Sequence, residues 1–130
     1  FIKNKILNKI NKLDKNYISV HVRRTDHSNL AKNRQYYTSD EDFYNYIDKF
    51  DINKNIYIAT DNEITYNDFK KKYSNRIKFD YHIVNQGSFR QTSLHDAIID
   101  LYMCVYADDF MGSGYSSFSH LINILRQINK

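Results

Sequence analysis

Apolar positions along the chain fall into two alternating rhythms. In FIKNKILNKINKLD (1–14), Ile2, Ile6, Ile10 and Leu13 are four, four and three residues apart, with lysines and asparagines between them. That spacing draws one apolar stripe along a helix. YISVHVR (17–23) follows, β-branched and alternating, and predicts a strand. The polar, aperiodic run 25–39 predicts a long loop. Ser39 ahead of Asp40, Glu41 and Asp42 marks a capped helix start with acids in its first turn. Phe43, Tyr46, Ile47 and Phe50 then share one side of that helix. NIYIAT (55–60) predicts a second strand, Asp61-Asn62 a cap, and EITYNDFKKKY the helix behind it. A third strand is expected within RIKFDYHIV (76–84), then a loop over 85–91 and a helix LHDAIIDLYMCVYA capped by Thr92 or Ser93. DFMGS (109–113) predicts a fourth strand. GYSS breaks into a last helix, FSHLINILRQINK, with Leu121, Ile124, Leu125 and Ile128 inward.

Helix and strand thus alternate throughout. Parallel strands need crossover helices, so the order predicts an α/β fold: a Rossmann-like open parallel sheet of about four strands with helices on both faces. No repeat or linker divides the chain, and 1–130 reads as a single domain. In such sheets ligands bind beyond the carboxyl ends of the strands, near the point where strand order reverses. The residues to inspect are therefore Arg23 to Asp26, Thr60 to Asn62, Asn85 to Arg90, and Gly112 to Ser117.

Composition narrows the function classes. The chain has 42% hydrophobic and 26% charged residues, a balance that folds rather than stays disordered. It has no apolar run of the ~20 residues a membrane span needs, and no signal-peptide pattern. It begins with Phe1 rather than Met, which reads as a cut in a longer chain. Cys104 is the single cysteine, which removes internal disulfides and multi-cysteine zinc sites; its apolar neighbours predict a buried, inert thiol. The net charge of +4 suits a phosphate-bearing ligand without demanding nucleic acid. The longest basic run, Lys70-Lys71-Lys72, lies on one helix and reads as a solvated face, so no nucleic-acid partner is expected. The low cysteine content leans toward the cytosol, and the sequence leaves the compartment open.

Three stretches could carry chemistry. In His21-Val22-Arg23-Arg24-Thr25-Asp26, polar groups leave one face of a strand that should be buried. Burying an imidazole or guanidinium costs several kcal/mol unless it is paired. Two arginines at a strand's carboxyl end offer bidentate donors to a phosphate or carboxylate. The competing reading is a structural salt bridge from Arg24 to Asp26 or to an acid elsewhere. Gly112-Ser113-Gly114-Tyr115-Ser116-Ser117 joins the last strand to the last helix, where a close-approaching backbone, hydroxyls and helix N–H groups would suit an anion; its glycine spacing fits neither a dinucleotide fingerprint nor a P-loop. Asp100 sits among Ile98, Ile99 and Leu101, so a carboxylate there must find donors. Those could be the N1–H and 2-amino edge of guanine or, more plainly, Arg126 or a backbone group. His27, His82, His95 and His120 lack metal-ligand spacing. Asp108-Asp109 precedes a strand, at the end of the sheet away from any site.

Together these stretches resemble a known family. VHVRRTD (20–26), IATDN (58–62) and SLHDAIIDLYMCVYADDFMGSGYSSFSHLI (93–122) are similar, in order and spacing, to the three motifs of the alpha-1,2-, alpha-1,6- and protein O-fucosyltransferase superfamily. The resemblance implies one half of a two-domain GT-B fold: a carboxyl-terminal Rossmann-like domain that binds the donor GDP-fucose, with an amino-terminal domain that helps hold a glycan or protein acceptor. It implies inverting transfer without a bound metal or other cofactor. Carried over by position, Arg23 would contact the diphosphate and stabilise the departing GDP. His21 and Asp100 would address the guanine. Ser116 and Ser117 would bond to the phosphates, Asp61 would belong to the nucleotide side, and Arg24 and Asp26 would brace the loop.

One departure stands out. Some members carry a catalytic acid a few residues beyond RRxD, where this chain has Asn29 to Lys32. Asp26 and His27 are the nearest candidate bases, and the sequence does not choose between them. The alternative to an active donor domain is a degenerate nucleotide-sugar-binding or interaction domain that kept the fold and lost the base.

Overall fold

The opening apolar stripe winds into helix α1 (Ile2–Lys12), which buries Ile6 and packs Ile2 and Ile10 at the core margin. The computed structural model describes residues 2–24, 38–80, 94–114 and 116–129. Strand β1 (Tyr17–Val22) follows, buried along its whole length. Helix α2 (Asp40–Ile47) opens on Ser39 with a reciprocal capping box: the Ser39 hydroxyl accepts from Asp42 N–H while the Asp42 carboxylate accepts from Ser39 N–H. Strand β2 (Asn55–Thr60), helix α3 (Glu63–Tyr73) and a 3₁₀ turn (Ser74–Arg76) come next, then helix α4 (Leu94–Tyr106), strand β3 (Asp109–Gly112) and helix α5 (Ser117–Ile128).

The three strands form one parallel sheet in the order β2-β1-β3. Tyr17 to Val22 pair in step with Asn55 to Thr60, and Ile18 to His21 with Asp109 to Gly112. Alternation along β1 sorts its side chains between two cores. Tyr17 faces α1, α4 and α5 with Tyr57, Ala59, Ile99, Met103 and Ile122. Ile18, Val20 and Val22 face α2 and α3 with Phe43, Ile47, Ile56, Ile58 and Phe69. Helices therefore cover both faces, as the Rossmann-like reading requires. The chain visits β2 on one side of β1 and β3 on the other. The order thus reverses at the carboxyl ends of β1 and β3, where the crevice of an open α/β sheet forms.

Three expectations need correction or limits. Within 76–84, Arg76 ends the 3₁₀ turn and 77–80 join no strand; 81–84 lie outside the described residues, as do Thr92 and Ser93. Asn62 alone caps α3, its carbonyl oxygen accepting from Thr65 N–H at 2.9 Å, while Asp61 turns elsewhere. Helix α5 is rotated from its predicted seat. Ile122 is fully buried and Leu125 packs at the core margin, but Leu121, Ile124 and Ile128 are exposed. The cause is polar. Ser119 is buried against Gly112, and the Arg126 guanidinium donates to the carbonyls of Cys104, Val105 and Ala107, closing the end of α4. Ser119, Ile122 and Arg126 share one helical line, so two polar anchors set the rotation that an apolar count assigns to leucines and isoleucines. Arg126 is thereby committed to α4 and is not the partner of Asp100.

Candidate functional site

At the carboxyl end of β1 the backbone leaves the sheet and is gripped from both sides. From the β3 side, the Ser113 hydroxyl donates to His21 C=O at 2.9 Å and accepts from Arg23 N–H at 2.8 Å. From the β2 side, the Thr60 hydroxyl donates to Val22 C=O at 2.6 Å, and Asp61 Oδ1 accepts from Arg24 N–H at 2.9 Å. Short hydroxyls and a carboxylate thus replace ladder bonds where the strands diverge, so residues 22–24 keep their backbone groups satisfied.

The two arginines point to different work. Arg23 Nε lies 3.3 Å from Asp61 Oδ2, and its side chain is 40% exposed. Because Asp61 Oδ1 already holds Arg24 N–H, the carboxylate orients the Arg23 guanidinium from a fixed base. Arg24 is 12% exposed, pairs with Asp40 at 2.6 Å, donates to Arg23 C=O, and stacks its guanidinium 5.9 Å from the Phe43 ring centre. Among the described residues, Asp40 of α2 is the acid that pairs with Arg24, which ties the β1 exit to that helix.

His21 is buried, with Nδ1 2.7 Å from Ser119 Oγ and its ring 4.7 Å from that of Phe118. Ser119 Oγ also accepts from Ser113 N–H at 3.0 Å. One hydroxyl thus joins the imidazole, the β3 exit and the first turn of α5. The approach is possible because position 112 has no side chain: a Cβ there would stand 2.4 Å from Ser119 Oγ and 2.5 Å from Ser119 Cβ. Gly112→Ala must push the helix off the strand. The expected cost is about 1–3 kcal/mol, as in other overpacked sites, read as a lowered Tm and denaturant midpoint. An unchanged Tm would show that the helix start yields freely.

Ser116 is the cap of α5, its hydroxyl oxygen accepting from Ser119 N–H, while Ser117 begins the helix and is exposed. Gly114 N–H donates to the Thr38 hydroxyl at 2.8 Å, which ties this turn to the start of α2. The turn's own N–H groups at 113 and 114 therefore serve the fold. Among the described residues, no acceptor engages the N–H of Ser117 or Phe118 at the positive end of α5. Asp26 and His27 lie outside the described residues.

Asp100 stands apart from this cluster. It lines a cavity of about 350 Å³ along β2, together with Lys5, Lys9, Tyr57, Thr60 and Asp96. Tyr57 OH donates to Asp100 Oδ1 at 2.5 Å. Burial pushes the Asp100 carboxyl up to about 7, against the opposing pull of the Tyr57 hydrogen bond and Lys9. Burial also holds Lys9 below the ordinary lysine value, partly offset by the charge of Asp100. Thr60 lines the cavity, and the next residue, Asp61, pairs with Arg23.

The sequence motifs named His21, Arg23, Arg24 and Asp61, which the fold gathers at one edge. Thr60, Ser113 and Ser119, whose hydroxyls bind that edge together, fall inside those motifs but received no individual role from the sequence, and Tyr57 and Lys9 beside Asp100 fall outside them. Short polar residues at strand ends were the available signal. Among the described residues, no three metal-ligating side chains cluster, and no helix is long and apolar enough to cross a membrane. No curated protein matches the chain. The family model described as GDP-fucose protein O-fucosyltransferase matches residues 2–129, and the chain belongs to that family.

Proposed function

We propose that the domain binds GDP-fucose and acts as the donor side of an inverting fucosyl transfer to a protein or glycan hydroxyl. The observation that carries this reading is Arg23 at the carboxyl end of β1, its guanidinium oriented from the β2 side by Asp61 and its backbone N–H held from the β3 side by Ser113, in the turn that leads into α5. Breaking the bond from fucose to GDP builds negative charge on the β-phosphate. A preorganised guanidinium and helix N–H groups are suited to receive it, because they need no reorientation as the charge develops. Asp100 would accept from the N–H groups of guanine in the cavity beside β2, and Ser116 and Ser117 would border the phosphates. Asp26 or His27 would serve as base toward the acceptor. Members of this family take an acceptor with the help of a second domain, and such a domain is the expected partner.

The second reading, a binding domain without transfer, draws on the stretch Asn29 to Lys32, which carries no acid. Titration calorimetry of the chain with GDP, GDP-fucose, UDP and ADP tests the first step. Selective binding of the guanine nucleotides is expected; equal affinity for all four, or for none, would overturn the donor-site reading. Fucose release from GDP-fucose, followed by chromatography, then separates transfer competence from binding alone.

A further inference from the structure

The cavity beside β2 holds opposite charges that face each other without closing into an ion pair. Lys9 approaches from α1 and Asp100 from α4, with Tyr57 of β2 between them. Lys9 Nζ lies 4.1 Å from the Phe79 ring centre and 6.0 Å from that of Tyr57. Among the described residues, it has no hydrogen-bond acceptor and no ion-pair partner. A half-buried ammonium has three donors to satisfy, and ring faces offset only part of that cost. Asp100 is in the complementary position. Its Oδ1 is pinned by Tyr57, and among the described residues no donor engages Oδ2.

We infer that Lys9 is a base-selectivity residue of the donor site, donating to the 6-carbonyl oxygen of guanine while Asp100, pinned by Tyr57, accepts from the neighbouring N1–H and 2-amino groups. This rests on the donor-binding reading above and extends it to a residue outside all three sequence motifs. The chemistry follows from the base edges. Guanine presents one acceptor beside two donors, and an ammonium beside a carboxylate matches that order. Adenine would set its 6-amino donor against the ammonium and its N1 acceptor against the carboxylate; uracil would set a second carbonyl against the carboxylate. A mismatched polar pair left buried is the strongest source of discrimination between similar ligands. The other charged and titratable groups on the cavity are Lys5 on α1, Tyr66 on α3, Asp80 and Asp96. Asp96 and Lys5 bear on Lys9 with opposite signs.

The test titrates the 130-residue chain and Lys9→Met with GDP, IDP, ADP and 6-thio-GDP. IDP keeps the carbonyl and N1–H but lacks the 2-amino group. 6-Thio-GDP keeps both donors and offers a weaker sulfur acceptor. Wild type is expected to bind GDP tighter than 6-thio-GDP. Lys9→Met should lose about tenfold in affinity for GDP and IDP alike, the scale of one charge-assisted hydrogen bond. Its ADP affinity should hold or rise, because the clash between the ammonium and the 6-amino group is gone, and its preference for GDP over 6-thio-GDP should vanish. Lys9→Arg, which keeps charge and donors, should retain most of the GDP preference. Lys9→Met binding GDP as wild type does, or losing GDP and ADP equally, would overturn the inference while leaving the donor site standing. Equal affinity of wild type for GDP and 6-thio-GDP would overturn it without any variant. Absence of GDP binding by wild type would bring down the donor-site reading and this inference with it.

Discussion

Arg23→Ala is expected to weaken GDP binding by about 10- to 100-fold while leaving the folded state nearly as stable as wild type. The loss follows from removing charge-assisted hydrogen bonds to a phosphate, each worth about 1.5–3 kcal/mol. The stability side follows from exposure. The Arg23 side chain is 40% exposed and its partner Asp61 29%, and pairs so placed contribute about 1 kcal/mol or less. Asp61 keeps its bond from Arg24 N–H in the variant, so the strand exit stays anchored. Arg23→Lys should fall between the two, because an ammonium supplies charge without the planar fork. Calorimetry with GDP and a thermal melt of the same sample check both halves. A Tm drop matching the lost binding energy would mean that Arg23 holds the fold rather than the ligand.

Asp100→Asn is expected to remove a pH dependence of stability that wild type shows between about pH 4 and pH 7. The Asp100 carboxyl titrates near 7 in the folded protein, against an ordinary value of 3.8, so the folded state keeps its proton where the unfolded chain has released it. Stability from this group is therefore fully present below about pH 4 and is lost as pH rises through 7. A shift of that size corresponds to about 4 kcal/mol. The asparagine carbonyl can still accept from Tyr57, so the variant should be the more stable protein at pH 8 and its stability should be flat across the window. Lys9 works in the opposite sense: a base held below its ordinary value gains stability as pH rises, so it does not produce this decline. Urea unfolding at pH 4.5, 6 and 8 measures it. Parallel pH profiles for the two proteins would refute the assignment to Asp100.

Much of this was legible from residue order. The pattern predicted α1, β1, β2, β3 and the four later helices, to within a residue or two except at the end of α2, which stops at Ile47, three residues short of Phe50; each has a periodic apolar face and several have polar caps such as Ser39, Asn62 and Ser116. It also led to His21, Arg23, Arg24 and Asp61, because polar groups at the end of a buried strand need partners and the carboxyl edge is where parallel sheets bind ligands. The resemblance to fucosyltransferases rested on three motifs, and the match over residues 2–129 supports it.

Other features arose only when distant segments met. The rotation of α5 depends on Ser119 reaching a strand that lacks a side chain at Gly112, and on Arg126 reaching the end of α4; neither contact leaves a periodic mark. The division of labour between Arg23 and Arg24 depends on Asp61 and Asp40, which are 37 and 16 residues from Arg24 along the chain. Asp100 and Lys9 lie 91 positions apart in sequence and share a cavity because α1 and α4 cover the same face of β2. Local order thus determined the elements, their sequence along the chain and the sheet edge worth searching, since hydrophobic period and capping act within a few residues. Which side chains pair, which charge is buried and which helix face turns inward were decided by tertiary packing, because burial and electrostatic partnership are properties of segments brought together by the fold.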